Sequence, residues 1–490
     1  MSISAEESVE DPVVFKVPET DIEKLSSKDQ HSVGDDVARD YYLEVQDEED
    51  RPTPYAYLDK QAIQYAVLYD LRADLKMVGN QYSWANSIFF FGYLVWQYPS
   101  LLLLQKFPIG KYFSSQVFGW GAVSFLMAAC SNFEDITTLR FLLGAFEAVQ
   151  MPTLILITGM YYKRSEQPFR LLLWYSMNAL AIILGGLFSY GVGHVSGEVP
   201  LWKFPFIICG ALSTVWSIVL WFFLPSNPAT SWFLTHAEKT VVFKRVQENQ
   251  TGVENKTFKK EQAIEALTDP KVWLNALGAG AGNVLVGVSA FASLLIKGFG
   301  FTTLQTTLLQ MPTGLLEIIG LIIFTTAATR IPSSRLTLAL FASLIALAGS
   351  IILYSVKLSH SNRWTLMTGF WLMTGIIPCS FILNLGTVSA NIGGHTKKLT
   401  SQAIFFVLYS TGSIVGPQLY TTSPYKEGLR SNVVALAITV FIASLNIAYM
   451  AWENKKRRAY LEANKGHLKE SDFAFRDLTD KQNPFCFNQL

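Results

Sequence analysis

Residues 139–162 read LRFLLGAFEAVQMPTLILITGMYY, an apolar run broken by two full charges, Arg140 and Glu147. At ~1.5 Å per residue, a helix of this length covers the ~30 Å of hydrocarbon in a bilayer. A charge near the middle of such a span costs roughly 2.5–3.5 kcal/mol on insertion scales, so neither residue is there by default. The spacing is about two helical turns, which puts both side chains on nearly the same face. That face offers a fixed cation and a protonatable anion, a starting kit for carrying an anion together with a proton. The competing reading is a structural ion pair that ties this span to its neighbours.

Runs of similar length and composition lie on both sides of this stretch, near 84–105, 112–130, 171–192, 203–224, 272–296, 304–328, 336–356, 365–389, 400–421 and 432–452. Half of the 490 residues are hydrophobic and only 16% are charged, too few charges for a soluble chain of this length. The pattern predicts an all-α membrane protein with eleven full spans. A twelfth, weaker segment runs from Tyr55 to Leu71 and carries Asp59 beside Lys60. Its polarity, and Pro52 and Pro54 just before it, favour a juxtamembrane loop or a surface helix on pattern alone.

The charges sit mostly outside the apolar runs. An acidic segment, 1–50, reads as a disordered cytosolic tail. The hydrophilic stretch 225–271 separates a bundle at 51–224 from a second at 272–453, and a polar tail follows at 454–490. Basic residues in the middle stretch (Lys239, Lys244, Arg245, Lys256, Lys259, Lys260) and at Lys455 to Arg458 predict that both face the cytosol. Lys163 with Arg164 and Lys397 with Lys398 agree, whereas the acidic 131–138 loop is expected outside. Both termini are then cytosolic, and the sequons at Asn249 and Asn255 are expected to carry no glycan. The net charge of +1 gives no reason to expect a nucleic-acid partner. The four cysteines have neither metal-ligand spacing nor a disulfide framework, and no metalloprotease or nucleophile-elbow motif is present, so an enzyme is not expected.

Counting the weak segment as a span makes two halves of six around a long middle loop. That plan resembles the major facilitator superfamily, which binds substrate near the membrane midplane between the halves. The motifs are more specific still. LDKQAIQYA (58–66), GNQYSWANSIFFFGYLVWQYPS (79–100), RFLLGAFEA (140–148), MYYKRSEQPFR (160–170), GGLFSYGVGH (185–194) and FFLPSNP (222–228) resemble the fungal allantoate permease family. So do FKKEQAIEALTDPKVWLNAL (258–277), KGFGFTTLQTTLLQMPTG (297–314), NIGGHTKK (391–398) and GPQLY (416–420). That family lies in the anion:cation symporter branch of the major facilitators.

The resemblance implies proton-coupled import of a small organic anion, with allantoate, ureidosuccinate, nicotinate, pantothenate and biotin among the family's substrates. It also implies a multi-pass protein of the plasma membrane, monomeric, driven by the proton gradient with no cofactor and no metal. Carried over by position, Glu147 and Asp59 become proton sites, and Lys60 and Arg140 the cations that hold the substrate. Lys60 stands where relatives often have arginine, a point charge in place of a fork. Tyr82, Asn178, Asn283 and Tyr409 are further candidate substrate contacts, each with helix packing as its alternative, and Glu317 is a lone carboxylate without a family motif.

The chain departs from the family in three places. The apolar residues that precede the Asp-Lys pair in relatives are missing before Asp59, which predicts a truncated first span, with an exon missed in the gene model as the expected cause. Ser413 replaces a usual asparagine, and QKFPIGK (105–111) is a degenerate form of the superfamily's gate loop, expected to act in packing. A nutrient sensor or defective transporter, and a metabolite exporter, remain as alternative functions.

Overall fold

The computed structural model describes residues 55–162, 167–227, 259–331, 333–359, 361–464, 479–483 and 485–488, with isolated positions between 231 and 239. The acidic 1–50 segment, Lys163 with Arg164 and both sequons lie outside them. The described residues are helical and contain no strand.

The first half comprises α1 (Tyr55–Ala66), α2 (Gln81–Lys106), α3 (Ile109–Met127), α4 (Phe133–Glu147), α5 (Gln150–Tyr161), α6 (Gln167–Val192) and α7 (Lys203–Phe223). A short α8 (Lys260–Thr268) ends the middle stretch. The second half follows with α9 (Pro270–Asn283), α10 (Val286–Ala290), α11 (Ala292–Gly298), α12 (Thr303–Leu309), α13 (Met311–Arg330), α14 (Arg335–Ser355), α15 (Arg363–Asn391), α16 (His395–Gln418) and α17 (Lys426–Ala463). Among the described residues ten stretches are long and apolar enough to cross a membrane, and α3 is a further long helix between two of them. Large apolar side chains such as Phe222, Ile323 and Phe441 remain exposed on the outer surface, where lipid covers such groups.

The weak first segment is neither a loop nor a surface helix. Leu58, Asp59, Ala62, Ile63 and Tyr65 of α1 are all buried, and a 3-10 turn, Val67–Tyr69, extends it. Polarity misled the pattern here, because a helix enclosed by protein on all sides has no lipid face to show. The twelve residues of α1 cover roughly 18 Å, short of a ~30 Å hydrocarbon core.

The opening stretch is not one continuous helix either. Pro152 has no N–H to donate to the carbonyl of Ala148, and the helix breaks at Ala148–Val149 between α4 and α5. Glu147 therefore ends α4 instead of lying mid-helix. The 272–296 span is likewise divided, into α9, α10 and α11.

Small residues set the closest helix contacts. A Cβ on Gly92 would lie 2.0 Å from the carbonyl oxygen of Phe141, and one on Gly144 only 1.9 Å from that of Phe89, so α2 and α4 touch backbone to backbone. In the second half the same holds for Gly412 against Gly280, at 2.0 Å. Glycines of the 278–287 set thus serve packing at 280 and 287, while Gly278 and Gly282 border open space. The QKFPIGK loop packs as expected: the Gly110 N–H donates to Ser226 Oγ at 3.3 Å, and Lys111 donates to the carbonyl of Trp221.

On the face opposite the middle loop the two halves are joined. Tyr82 donates its hydroxyl to the carbonyl of Ala290 at 2.9 Å and sets its ring edge-on against Phe291. Phe291 stacks on Tyr420 with centroids 5.0 Å apart. Ser87 of α2 donates to the carbonyl of Ile414 at 2.7 Å and accepts from Gln418.

Candidate functional site

A cavity of about 250 Å³ lies between the halves and is lined from both. It is smaller than the roughly 300–1,000 Å³ of sites for drug-sized ligands, so it suits a small molecule. Lys60, Arg140 and Glu147 from the first half all line it, as do Asn178, Asn283 and Tyr409.

The α2–α4 contact places Arg140. Its guanidinium donates to the carbonyl of Ala85 at 3.2 Å, to Asn86 Oδ1 at 3.3 Å and to the carbonyl of Lys60 at 3.5 Å. Arginine is thus the pin that joins α1, α2 and α4, using its fork on neutral acceptors. No ion pair with Glu147 forms among the described residues, so the structural-pair reading of these two charges does not describe the arrangement found. Glu147, at the helix break, makes no hydrogen bond or ion pair among the described residues and lines the cavity.

Lys60 lies with its ammonium 4.7 Å from the Phe90 centroid and 5.1 Å from that of Phe89, and the Arg140 guanidinium is 5.6 Å from Phe89. The ring faces stabilise the two cations without consuming their charge, at about 0.5–2 kcal/mol each.

Asp59 and Tyr82 are placed elsewhere. Asp59 accepts from Ser124 Oγ at 2.7 Å and Ser213 Oγ at 2.5 Å, buried between α1, α3 and α7 and away from the cavity lining. At about 100° per residue, Asp59 lies roughly opposite the mean direction of Lys60, Gln61 and Gln64 on the helix. Tyr82 is spent on the contact between halves described above and does not line the cavity. Ser413, too, is off the cavity, donating to the carbonyl of Tyr409 in its own helix.

Asn283 donates to the carbonyl of Ala279 in its own helix and presents its remaining polar atoms to the cavity. Tyr409 is held by Phe381, with centroids 5.3 Å apart, and by Phe406. Lining residues not foreseen include Gln61 and Gln64 on α1, Asn86 on α2 and Thr313 on α13. A signal existed for α1, where Lys60, Gln61 and Gln64 form one polar stripe at helical spacing. None existed for Asn86, since only the approach of α4 makes it an arginine partner.

This architecture and cavity define a polytopic helical membrane protein with a cavity inside its bundle. A profile of the Major Facilitator Superfamily matches residues 55–417. Relatives include an uncharacterized transporter of Schizosaccharomyces pombe, 40% identical over 432 residues, covering 87% of this chain and 80% of that one. The allantoate permease of Saccharomyces cerevisiae is 34% identical over 446 residues, covering 87% and 81%. The thiamine pathway transporter of the same yeast is 30% identical, with the same coverage. A crystal structure of a bacterial homolog of the human lysosomal transporter Spinster aligns over 80% of this chain and 93% of its own, with a TM-score of 0.57 at 14% identity. The chain belongs to the Major Facilitator Superfamily and, within it, to the allantoate-permease-like fungal transporters. It is a multi-pass membrane transporter, not an enzyme.

Proposed function

We propose that this chain imports a small organic anion together with a proton by alternating access. The observation that carries the reading is that Lys60, Arg140 and Glu147, from α1 and α4, converge on one cavity inside the membrane-spanning bundle. Lys60 and Arg140 hold the substrate carboxylate. Glu147 competes with it for the same cations while ionised and gives way when protonated, so proton and anion enter together and leave together. Asp59 serves as a second proton site on the far side of α1, sensed through Ser124 and Ser213. The contacts from Tyr82 to Ala290 and from Ser87 to Ile414 must break for the cavity to open on the face opposite the middle loop. The protein works as a monomer without a cofactor.

Basic residues at Lys259, Lys260 and Lys455 to Arg458 support a cytosolic middle loop and cytosolic termini, in the plasma membrane. Allantoate is the first substrate to try, on the similarity to allantoate permease. Cells expressing the full chain should take up labelled allantoate, or another small acid from a panel, faster at pH 5 than at pH 7. Uptake that ignores external pH removes the proton from the mechanism. Binding without accumulation marks a sensor, and net efflux from preloaded vesicles down no anion gradient marks an exporter.

A further inference from the structure

The two walls of the cavity differ in chemistry. The first half contributes both cations and Glu147, whereas among the described residues Glu317 of α13 is the only charged lining residue from the second half. Glu317 is 97% buried by its 3% exposure, and it has no hydrogen bond or ion pair among the described residues. One helical turn before it, the Thr313 hydroxyl is buried without a partner, and on α15 so is Asn384 Oδ1. All three groups line the same cavity. Close approach of α15 at Gly375, where a Cβ would lie 2.9 Å from Leu316 Cβ and 3.2 Å from the carbonyl of Thr313, brings this part of α13 against α15.

Buried polar groups are ordinarily paired, and three unsatisfied ones on one wall point to something that pairs them. Glu317 ionised and Asn384 Oδ1 can only accept, and the threonine hydroxyl can accept as well. The missing partner must therefore donate. A cationic nitrogen meets the need, because it supplies several N–H groups and the charge that a buried carboxylate lacks.

We propose that Glu317 is a specificity-determining residue that receives a protonated amine at the end of the substrate remote from its carboxylate. The transported molecule is then a dipolar ion, bridging the Lys60 and Arg140 wall and the Glu317 wall. This rests on the anion-binding role of Lys60 and Arg140 proposed above. The substrate brings one charge of each sign to opposite walls.

The test is binding to the purified full chain in detergent at pH 7, followed by thermal stabilisation or tryptophan fluorescence. The probes are straight-chain ω-amino acids of three to six carbons, each against the unsubstituted alkanoate of equal length. At the matching length the amino acid should bind roughly tenfold or more tightly than the alkanoate, the worth of a hydrogen bond to a charged group. Glu317→Gln should erase that preference and still bind the alkanoate, whereas Glu317→Asp should keep a reduced preference. Equal affinity for both series at every length overturns the proposal, and so does an undiminished preference in Glu317→Gln. If the alkanoates bind wild type and Lys60→Ala equally, or bind neither, the anion site itself fails and this inference falls with it.

Discussion

Buried charge is concentrated in two regions of this molecule, and they treat it in opposite ways. On the middle-loop face, Lys271 and Lys397 are wholly buried, yet every charge has partners. Lys397 Nζ lies 2.6 Å from Asp480, 2.6 Å from Asp269 and 2.9 Å from Glu265, filling the one place among the described residues where three carboxylates could hold a metal ion. Lys271 pairs with the other oxygen of Asp480 and with Glu453 at 3.2 Å. Asn488 completes the cluster by donating to Glu453 and bonding Asn454. Residues from the chain's last segment thus clasp the ends of α9, α16 and α17. In the cavity, by contrast, Arg140 donates to neutral acceptors, Lys60 lies against ring faces, and Glu147 and Glu317 make no hydrogen bond or ion pair among the described residues. A closed set of ion pairs makes a clasp; carboxylates without one mark a binding site.

The comparison breaks most sharply at Glu147. Glu147→Gln should abolish acid-stimulated uptake while leaving the thermal midpoint within a few degrees of wild type, because no hydrogen bond is lost. Full uptake by this variant would remove Glu147 from coupling.

The clasp should behave the other way. Asp480→Asn leaves two buried ammonium groups short of charge, a loss of about 3–5 kcal/mol by analogy with broken buried pairs. Chemical or thermal unfolding of the purified protein should show it, with substrate preference unchanged. Burial alone would raise the Asp480 carboxyl, but Lys271 and Lys397 beside it hold it below the usual carboxylate range. Its stabilising contribution is therefore complete above the unfolded value near ~3.9 and is lost only as pH falls through the lower folded value. Wild type and Asp480→Asn should differ by a constant amount between pH 5 and 8. A gap that closes within that window would contradict the assignment.

Arg140→Lys sharpens the contrast at lower cost. Lysine keeps the charge and loses the fork that reaches Ala85, Asn86 and Lys60 at once, so uptake should fall roughly tenfold or more, mainly through weaker binding. Tyr82→Phe should have the smallest effect. It removes one hydrogen bond between the halves, about 1 kcal/mol, and should shift the balance of open and closed states enough to change exchange rates a few-fold. An unchanged rate would mean that the aromatic contacts of Phe291 and Tyr420 hold that face alone.

Much of this was legible in the residues. Spans of apolar side chains announce a membrane bundle because a bilayer demands about twenty such residues wherever the chain crosses it. Arg140 and Glu147 stood out for the same reason, since charge in such surroundings is costly, whereas Lys60 drew notice only through the family resemblance. The first span was harder, since α1 is enclosed by protein and its polar residues face other helices instead of lipid.

What the linear chain determined, then, was the membrane-bundle class, the order of its apolar segments and the charges that had to be accounted for, because those follow from the solvent each residue meets. Only the tertiary structure decided how the charges are divided. It turned Asp59 toward Ser124 and Ser213 and its neighbour Lys60 toward the cavity, broke the opening stretch beside Glu147, and brought Asp480 from the far end of the chain onto Lys271 and Lys397. Those outcomes depend on which helices touch, and contacts between residues hundreds of positions apart carry no local signature.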